Sequence, residues 1–557
     1  MMSETFSSLN RKQILEKMEH QEFDLLIIGG GITGAGIALD AASRGMKTAL
    51  VEMQDFAAGT SSRSTKLIHG GLRYLKKFEL KLVSEVGRER AIVYDNGPHV
   101  TTPLKMLIPV YKNTGFGIFA TSMGLRLYDF LAGVKKSERC RMLSKEEMLI
   151  LEPKLKKDGL LGGGLFVEYR SDDARLTIEV LKEAASQGAL VMNYAKVTNF
   201  IYQNEKLAGV YIEDQLDGQQ CEIHAKKIVN AAGPWVDRLR EQDRSLLDKH
   251  LFLTKGIHLV FDQSVFPLQQ ALYFDTPDGR MVLMIPRDGK TYVGTTDTPY
   301  NGDLTNPRMT VSDCDYLLDT IHYIFPDLNI QANDIESSWA GVRPLIHEPS
   351  KGPSEISRKD EIWTSPSGLI SIAGGKLTGY RKMAEKIVDT LAKEFHKEAQ
   401  AAFPPCQTKR LPISGGSVGG AQNFPAFIEK KLNQGLKLGL NTDEAYLLIK
   451  RYGSNIDDVY EIMEKNKNEA EASELPLALY AQVMYSLENE YAYTPVDFFL
   501  RRTGALLFQI QWVKKWRTPV IELMSQKLGW SAEKKEQFHL ELEKQIQNLT
   551  DALESDI

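Results

Sequence analysis

Three glycines between two apolar runs constrain this chain more than any other feature. Phe23 to Ile28 is a compact apolar stretch, Gly29, Gly31 and Gly34 follow in a GxGxxG pattern, small residues run on to Gly45, and a second apolar stretch spans Thr48 to Val51. Strand, glycine turn, helix and strand in that order make a βαβ unit of the dinucleotide-binding kind. Gly29 permits the tight turn, Gly31 lets backbone approach a pyrophosphate, and Gly34 lets helix pack against strand, while the helix start offers unpaired N–H groups to phosphate. Glu52 closes the second strand, 52 − 29 = 23 residues past the first glycine, where an acid accepts hydrogen bonds from an adenosine ribose. An acid there disfavours a 2′-phosphate. The pattern therefore favours FAD or NAD over NADP, without choosing between those two.

Around this unit the chain is long enough, at 557 residues, for two or three domains. Ser7 to Gln21 has apolar residues at helical spacing and reads as a short amphipathic helix. Leu190 to Asn230 reads as a small antiparallel meander returning to the main sheet. Met281 to Ile285 and Thr291 to Gly294 flank an Asp288-Gly289 pair that supports a hairpin in a separate sheet-based domain. Past a glycine-rich joint at Gly415, Gly416, Gly419 and Gly420 the sequence becomes charged and helix-forming. The net charge of −5 argues against a nucleic-acid partner. Four scattered cysteines suggest neither metal knuckle nor disulfide framework, and a cytoplasmic setting is expected. No secretory signal is visible. Phe23 to Ser43 contains Asp24, Asp40 and a glycine-dense start, so it is rejected as a membrane span.

The choice of cofactor comes from Thr60 to Leu75, which contains Ser61, Ser62, Ser64, Lys66, Leu67, His69, Gly70 and Gly71. This block resembles the flavin-proximal segment of FAD-dependent, quinone-linked glycerol-3-phosphate dehydrogenases, within the group that includes D-amino-acid and sarcosine oxidases. Further matches follow in order at Asn230 to Trp235, Gly294 to Thr298, Gly341 to Leu345 and Ala373 to Arg381, so the resemblance runs from about residue 20 to 400, and the tail is similar too. It implies an α/β fold with a Rossmann-like FAD-binding domain of the D-amino-acid-oxidase/glutathione-reductase-like type at 20–95, 160–255 and 340–400. A mixed-sheet substrate-binding domain is expected at 96–159 and 256–339, and a C-terminal helical domain at 401–557. Carried over residue by residue, Ser61, Ser62, Ser64, Lys66 and Leu67 run past the flavin and its phosphates, Val197 meets the adenine, and Ala232 and Gly233 lie against the dinucleotide. Gly375, Leu377 and Thr378 begin a helix aimed at the flavin.

The activity implied is oxidation of sn-glycerol 3-phosphate to dihydroxyacetone phosphate. Such chemistry needs a base for the hydroxyl proton and a cationic clamp for the phosphate. His69, whose imidazole has an ordinary pKa of about 6.5, is the candidate base. Arg343, Arg358 and Lys376 match the family's phosphate end, with Arg73 and Thr378 as additional substrate contacts; arginine grips phosphate two donors at a time. Asp297 reads as the cap of a turn rather than a catalytic acid. No metal site is expected.

A quinone acceptor implies a visit to the inner face of the cell membrane without crossing it. Leu104 to Leu131, and less so Leu507 to Arg517, mix basic and large apolar residues suited to that contact. A homodimer remains an open option. The rival reading is a glycerol-3-phosphate oxidase that reduces dioxygen to hydrogen peroxide; such oxidases carry an insertion ahead of the last flavin block, and here Arg343 to Gly374 spans only 374 − 343 = 31 positions. An amine or amino-acid oxidase would need a carboxylate clamp rather than several cations. A non-catalytic nucleotide-binding protein is the reading of a different class.

Overall fold

The computed structural model of the chain describes residues 6–72, 75, 79–112, 117–247, 249–347 and 360–554. Phe23–Ile28 and Thr48–Val51 are parallel neighbours, with helix Ile32–Ser43 between them in sequence. Leu25, Leu26 and Ile27 point alternately to opposite sides of the sheet, and all are fully buried, so both faces are covered. That is why the strand reads as a continuous apolar run.

Among the described residues, eight strands build this first sheet. Its path runs Glu361–Thr364, Leu369–Ala373, Gln220–Asn230, Phe23–Ile28, Thr48–Val51 and Leu190–Met192. All pair in parallel except Glu361–Thr364, an antiparallel edge. Ala195–Gln203 and Lys206–Asp214 form the meander, joined to the beginning of Gln220–Asn230. A Cβ on Gly34 would overlap the Gly29 carbonyl oxygen, and one on Gly36 would lie 2.8 Å from the Tyr380 ring, so small residues let the first helix approach both strand and neighbouring helix.

A second sheet of ten described strands runs Thr298–Pro299, His250–Asp262, Lys290–Gly294, Met281–Arg287, Ala271–Asp275, Thr101–Tyr111, Leu160–Ser171 and Leu67–Ile68. Ile335–His347 pairs with His250–Asp262, and Arg141–Ser144 with Leu160–Ser171. The hairpin turn has positive φ at both Asp288 (51°) and Gly289 (80°), as a two-residue turn matching the strand twist requires. Segments 160–171, 250–255 and 340–347, expected in the nucleotide-binding unit, lie instead in this second sheet. Each is part of a strand whose hydrogen bonds run to second-sheet partners, and an apolar run does not reveal its partner.

Helices from Phe424–Lys437 to Ala532–Thr550 build the C-terminal unit around two apolar clusters. Buried charges join it to the first sheet. Asp55 accepts from Arg501 Nε at 2.5 Å, from both terminal nitrogens of Arg502 at 2.6 and 2.8 Å, and from Asn193 at 2.9 Å. Burial alone would raise the Asp55 pKa; Arg502 and Arg501 outweigh it and hold the carboxyl well below the usual range. Nearby, Arg175 bridges Glu179 and Glu490.

Candidate functional site

The glycine turn shapes one end of an elongated cavity of about 640 Å3. Gly29 has φ +117°, and a Cβ there would lie 2.6 Å from the Ala231 carbonyl oxygen, so only glycine lets the turn pass this close to the neighbouring strand. The Ser61 hydroxyl accepts from Ile32 N–H at 2.9 Å, at the start of the first helix. Glu52 accepts from Gly30 N–H at 2.7 Å and Gln54 N–H at 2.8 Å. Burial pushes its carboxyl up, against the pull of those two N–H groups. The cavity runs from Glu52 past Gly29, Gly31, Ser61, Ser64, Val197, Ala232 and Gly233 to Gly375, Lys376 and Leu377.

Five expected cofactor residues, Gly34, Ser62, Lys66, Leu67 and Thr378, stand outside it. Gly34 packs under the turn. Ser62 is buried, and Lys66 directs its ammonium to Asp173 at 2.6 Å and the Ser62 carbonyl at 2.9 Å. Leu67 lines a second cavity instead.

That second cavity, about 490 Å3, shares Thr60, Ser64, Pro344 and the whole Gly374–Leu377 segment with the first. His69 and Arg343 also line it. Arg343 projects from Ile335–His347 and donates to Thr295 Oγ1 at 3.0 Å, the Thr296 carbonyl at 3.2 Å and Asp297 Oδ1 at 3.0 Å. Asp297 is thus the ion-pair partner of Arg343, where a turn cap was expected. Thr378 also departs from expectation: it is 1% exposed, lines neither cavity, and spends its hydroxyl on the backbone of His69. Arg73 and Arg358 lie outside the described residues.

Two further groups in this cavity carry no sequence signal. Glu168 receives Gly70 N–H beside His69, together with Tyr128 Oη at 2.5 Å and Arg90 at 2.8 Å. His258 is 1% exposed, stacks on Trp339 at 4.6 Å and shares a hydrogen bond with Thr65 Oγ1 at 3.0 Å. Burial first, then Arg343 and Lys66, push its pKa well down, so the imidazole is neutral.

Glycine turn, helix start and buried acid on one cavity wall fit a dinucleotide, and the shared segment Gly374–Leu377 also borders the second chamber, which Arg343 and Lys376 line. Comparison with known proteins agrees with this geometry. The FAD dependent oxidoreductase model matches residues 24–381, and the model for the C-terminal domain of alpha-glycerophosphate oxidase matches residues 406–535. The aerobic glycerol-3-phosphate dehydrogenase of Bacillus subtilis (strain 168) is 61% identical over 554 residues, covering 100% of both chains. Its namesake from Staphylococcus aureus (strain USA300) is 55% identical over 542 residues, 97% of each. Among solved structures, the glycerol-3-phosphate dehydrogenase of Bacillus halodurans complexed with FAD superposes with a TM-score of 0.86 at 49% identity, covering 98% of this chain and 99% of that one.

Proposed function

Because the chain belongs to the family of FAD-dependent oxidoreductases, we propose that it oxidises sn-glycerol 3-phosphate to dihydroxyacetone phosphate and delivers the electrons to a membrane quinone. The observation that carries this reading is the shared wall Gly374–Leu377, which borders both the dinucleotide cavity and a chamber lined by His69, Arg343 and Lys376. Bound FAD supplies the acceptor for the hydride leaving the secondary carbon. Gly29, Gly31, Ser61 and Glu52 hold its nucleotide half. In the chamber, Arg343 and Lys376 grip the phosphate dianion, and the His69 imidazole takes the hydroxyl proton. Arg343 is held by Thr295, Thr296 and Asp297, which orders its donors before substrate arrives.

The membrane contact in this reading is helix Gly117–Ala132. Phe119, Met123, Leu127 and Phe130 form one stripe along it, with Phe119 78% and Phe130 81% exposed, while Leu125 and Tyr128 bury the opposite face. Trp512 and Trp516 of the alternative segment pack against the helical core. No helix among the described residues is long and apolar enough to cross a membrane.

Anaerobic addition of glycerol 3-phosphate should bleach the yellow FAD-loaded protein; unchanged absorbance overturns the dehydrogenation. Electron delivery to a quinone analogue should then outpace delivery to dioxygen. Faster peroxide formation would make the protein an oxidase instead.

A further inference from the structure

A smaller cavity, about 130 Å3, lies where the helical C-terminal unit meets the second sheet. Its walls come from the end of Leu160–Ser171, the Arg287-Asp288 turn, helix Thr442–Tyr452 and the segment 503–509. Arg170, Arg287, Lys450 and Arg451 face it, against two carboxylates, Asp172 and Asp288. A fifth cation, Arg175, is already engaged by Glu179 and Glu490.

The cations are under-compensated. Arg170 reaches Asp288 at 3.3 Å and Arg287 reaches Asp172 at 3.2 Å, both longer than the 2.7–2.9 Å of a strong charge-assisted bond. Arg451 donates to neutral acceptors, the side-chain oxygen of Gln482 and the Thr503 carbonyl. The Lys450 ammonium stands 5.5 Å from the Tyr446 ring centre, and burial, then Arg170 and, against Asp288, Arg287 push its pKa down. Arg287 Nη1 and the Ser171 hydroxyl are buried with no hydrogen-bond partner among the described residues. Buried polar groups ordinarily have a partner, and the space far exceeds the roughly 10–15 Å3 a single water needs.

We propose that this cavity binds a phosphate-sized oxyanion, inorganic phosphate or the phosphate group of a small monoester, which fastens the helical unit to the second sheet. The two missing negative charges and the unpartnered Arg287 and Ser171 donors are what such an anion supplies or accepts. It is distinct from the Arg343 and Lys376 chamber. The anion also stands behind the active-site loop: Ser171 N–H donates to the Lys66 carbonyl at 2.8 Å, and Arg170 and Tyr169 lie opposite Leu67 and Ile68, the strand that leads to His69.

The test uses the full-length FAD-loaded protein. With Arg343→Ala and Lys376→Ala removing the chamber's cations, calorimetric titration with inorganic phosphate should still find one site per chain, and adding Lys450→Gln should weaken it about tenfold or more. Methyl phosphate binding as tightly assigns the site to monoesters as well; its failure to bind restricts the site to the free ion. Independently, Lys450→Glu in the otherwise unchanged protein places a carboxylate in the cluster. It should raise Tm in phosphate-free buffer and diminish the rise in Tm that phosphate gives the parent. Absence of phosphate binding in the Arg343, Lys376 double variant, unchanged affinity on adding Lys450→Gln, or a lowered Tm for Lys450→Glu would overturn the proposal.

Discussion

Thr378 Oγ1 holds the backbone of His69 from both sides, accepting from its N–H and donating to its carbonyl, each at 3.1 Å. The two residues are far apart in sequence, one after the short strand Leu67–Ile68 and the other in the turn that starts helix Tyr380–Ala399. The helix start thus sets the position of the imidazole. Thr378→Val removes both bonds to the His69 backbone, at a cost of about 0.5–1.5 kcal/mol each. Turnover should fall about tenfold or more, KM for glycerol 3-phosphate should move much less, and Thr378→Ser should restore both. Stopped-flow flavin reduction measures the step, and an unchanged reduction rate refutes the positioning role.

Arg343→Ala and Lys376→Ala should each raise KM by roughly 10- to 150-fold, the loss of one hydrogen bond to a charged group, while FAD occupancy stays near that of the parent. Asp297→Asn is the informative control, because it removes the competing charge while an amide oxygen still accepts from Arg343, and it should leave KM unchanged or lower it. Loss of bound flavin from Arg343→Ala would assign that residue to the cofactor instead.

Gly29→Ala forces a Cβ against the Ala231 carbonyl at 2.6 Å with φ at +117°. The purified variant should retain its helical circular dichroism and lose its yellow colour. Full flavin absorbance in that variant would remove the turn from the binding surface.

Acid should destabilise the protein through His99 and His258. Burial, followed by Arg175 and Lys182, pushes His99 well down, and burial with Arg343 and Lys66 does the same to His258. Both folded-state pKa values therefore lie below the unfolded value of about 6.5, so the unfolded chain takes up protons that the folded one refuses. Stability is full above pH 7 and declines as pH falls below about 6.5, by at most about 1.4 kcal/mol per pH unit for each histidine. Tm measured from pH 7.5 to 5.5 should fall less steeply in His258→Gln than in the parent; parallel curves would show that His258 protonates in the folded state.

Phe119→Ser with Phe130→Ser deletes the two most exposed apolar side chains of helix Gly117–Ala132. Sedimentation with anionic lipid vesicles should drop, as should quinone reduction in those vesicles, while reduction of a water-soluble dye is unaffected. Unchanged sedimentation moves the membrane contact elsewhere.

The nucleotide-binding unit is legible in the sequence because its determinants are local: the glycine spacing, the apolar strands and Glu52 lie within 30 residues, and the structure has strand Phe23–Ile28, helix Ile32–Ser43 and strand Thr48–Val51 as the pattern predicts. Asp288-Gly289 is legible for the same reason. What depends on distant pairing is not. Asp297 reads as a turn residue until Ile335–His347 brings Arg343 beside it, and Thr378, next to a glycine motif, reads as a ligand contact although it faces inward to His69. Glu168, Arg90 and Tyr128 form one buried cluster from three separate segments, and His258 stands alone in an apolar strand, so neither has a spacing to recognise.

The Asp55 carboxylate is neutralised by two guanidinium groups that the ribosome adds some 450 residues later, 501 − 55 = 446 and 502 − 55 = 447. During synthesis the amino-terminal half therefore waits with an interior anion until about nine-tenths of the polypeptide has been made. A premature stop near the glycine-rich joint yields a chain that cannot close its own interior, so a gene shortened there encodes a substrate for proteases rather than a smaller flavoprotein.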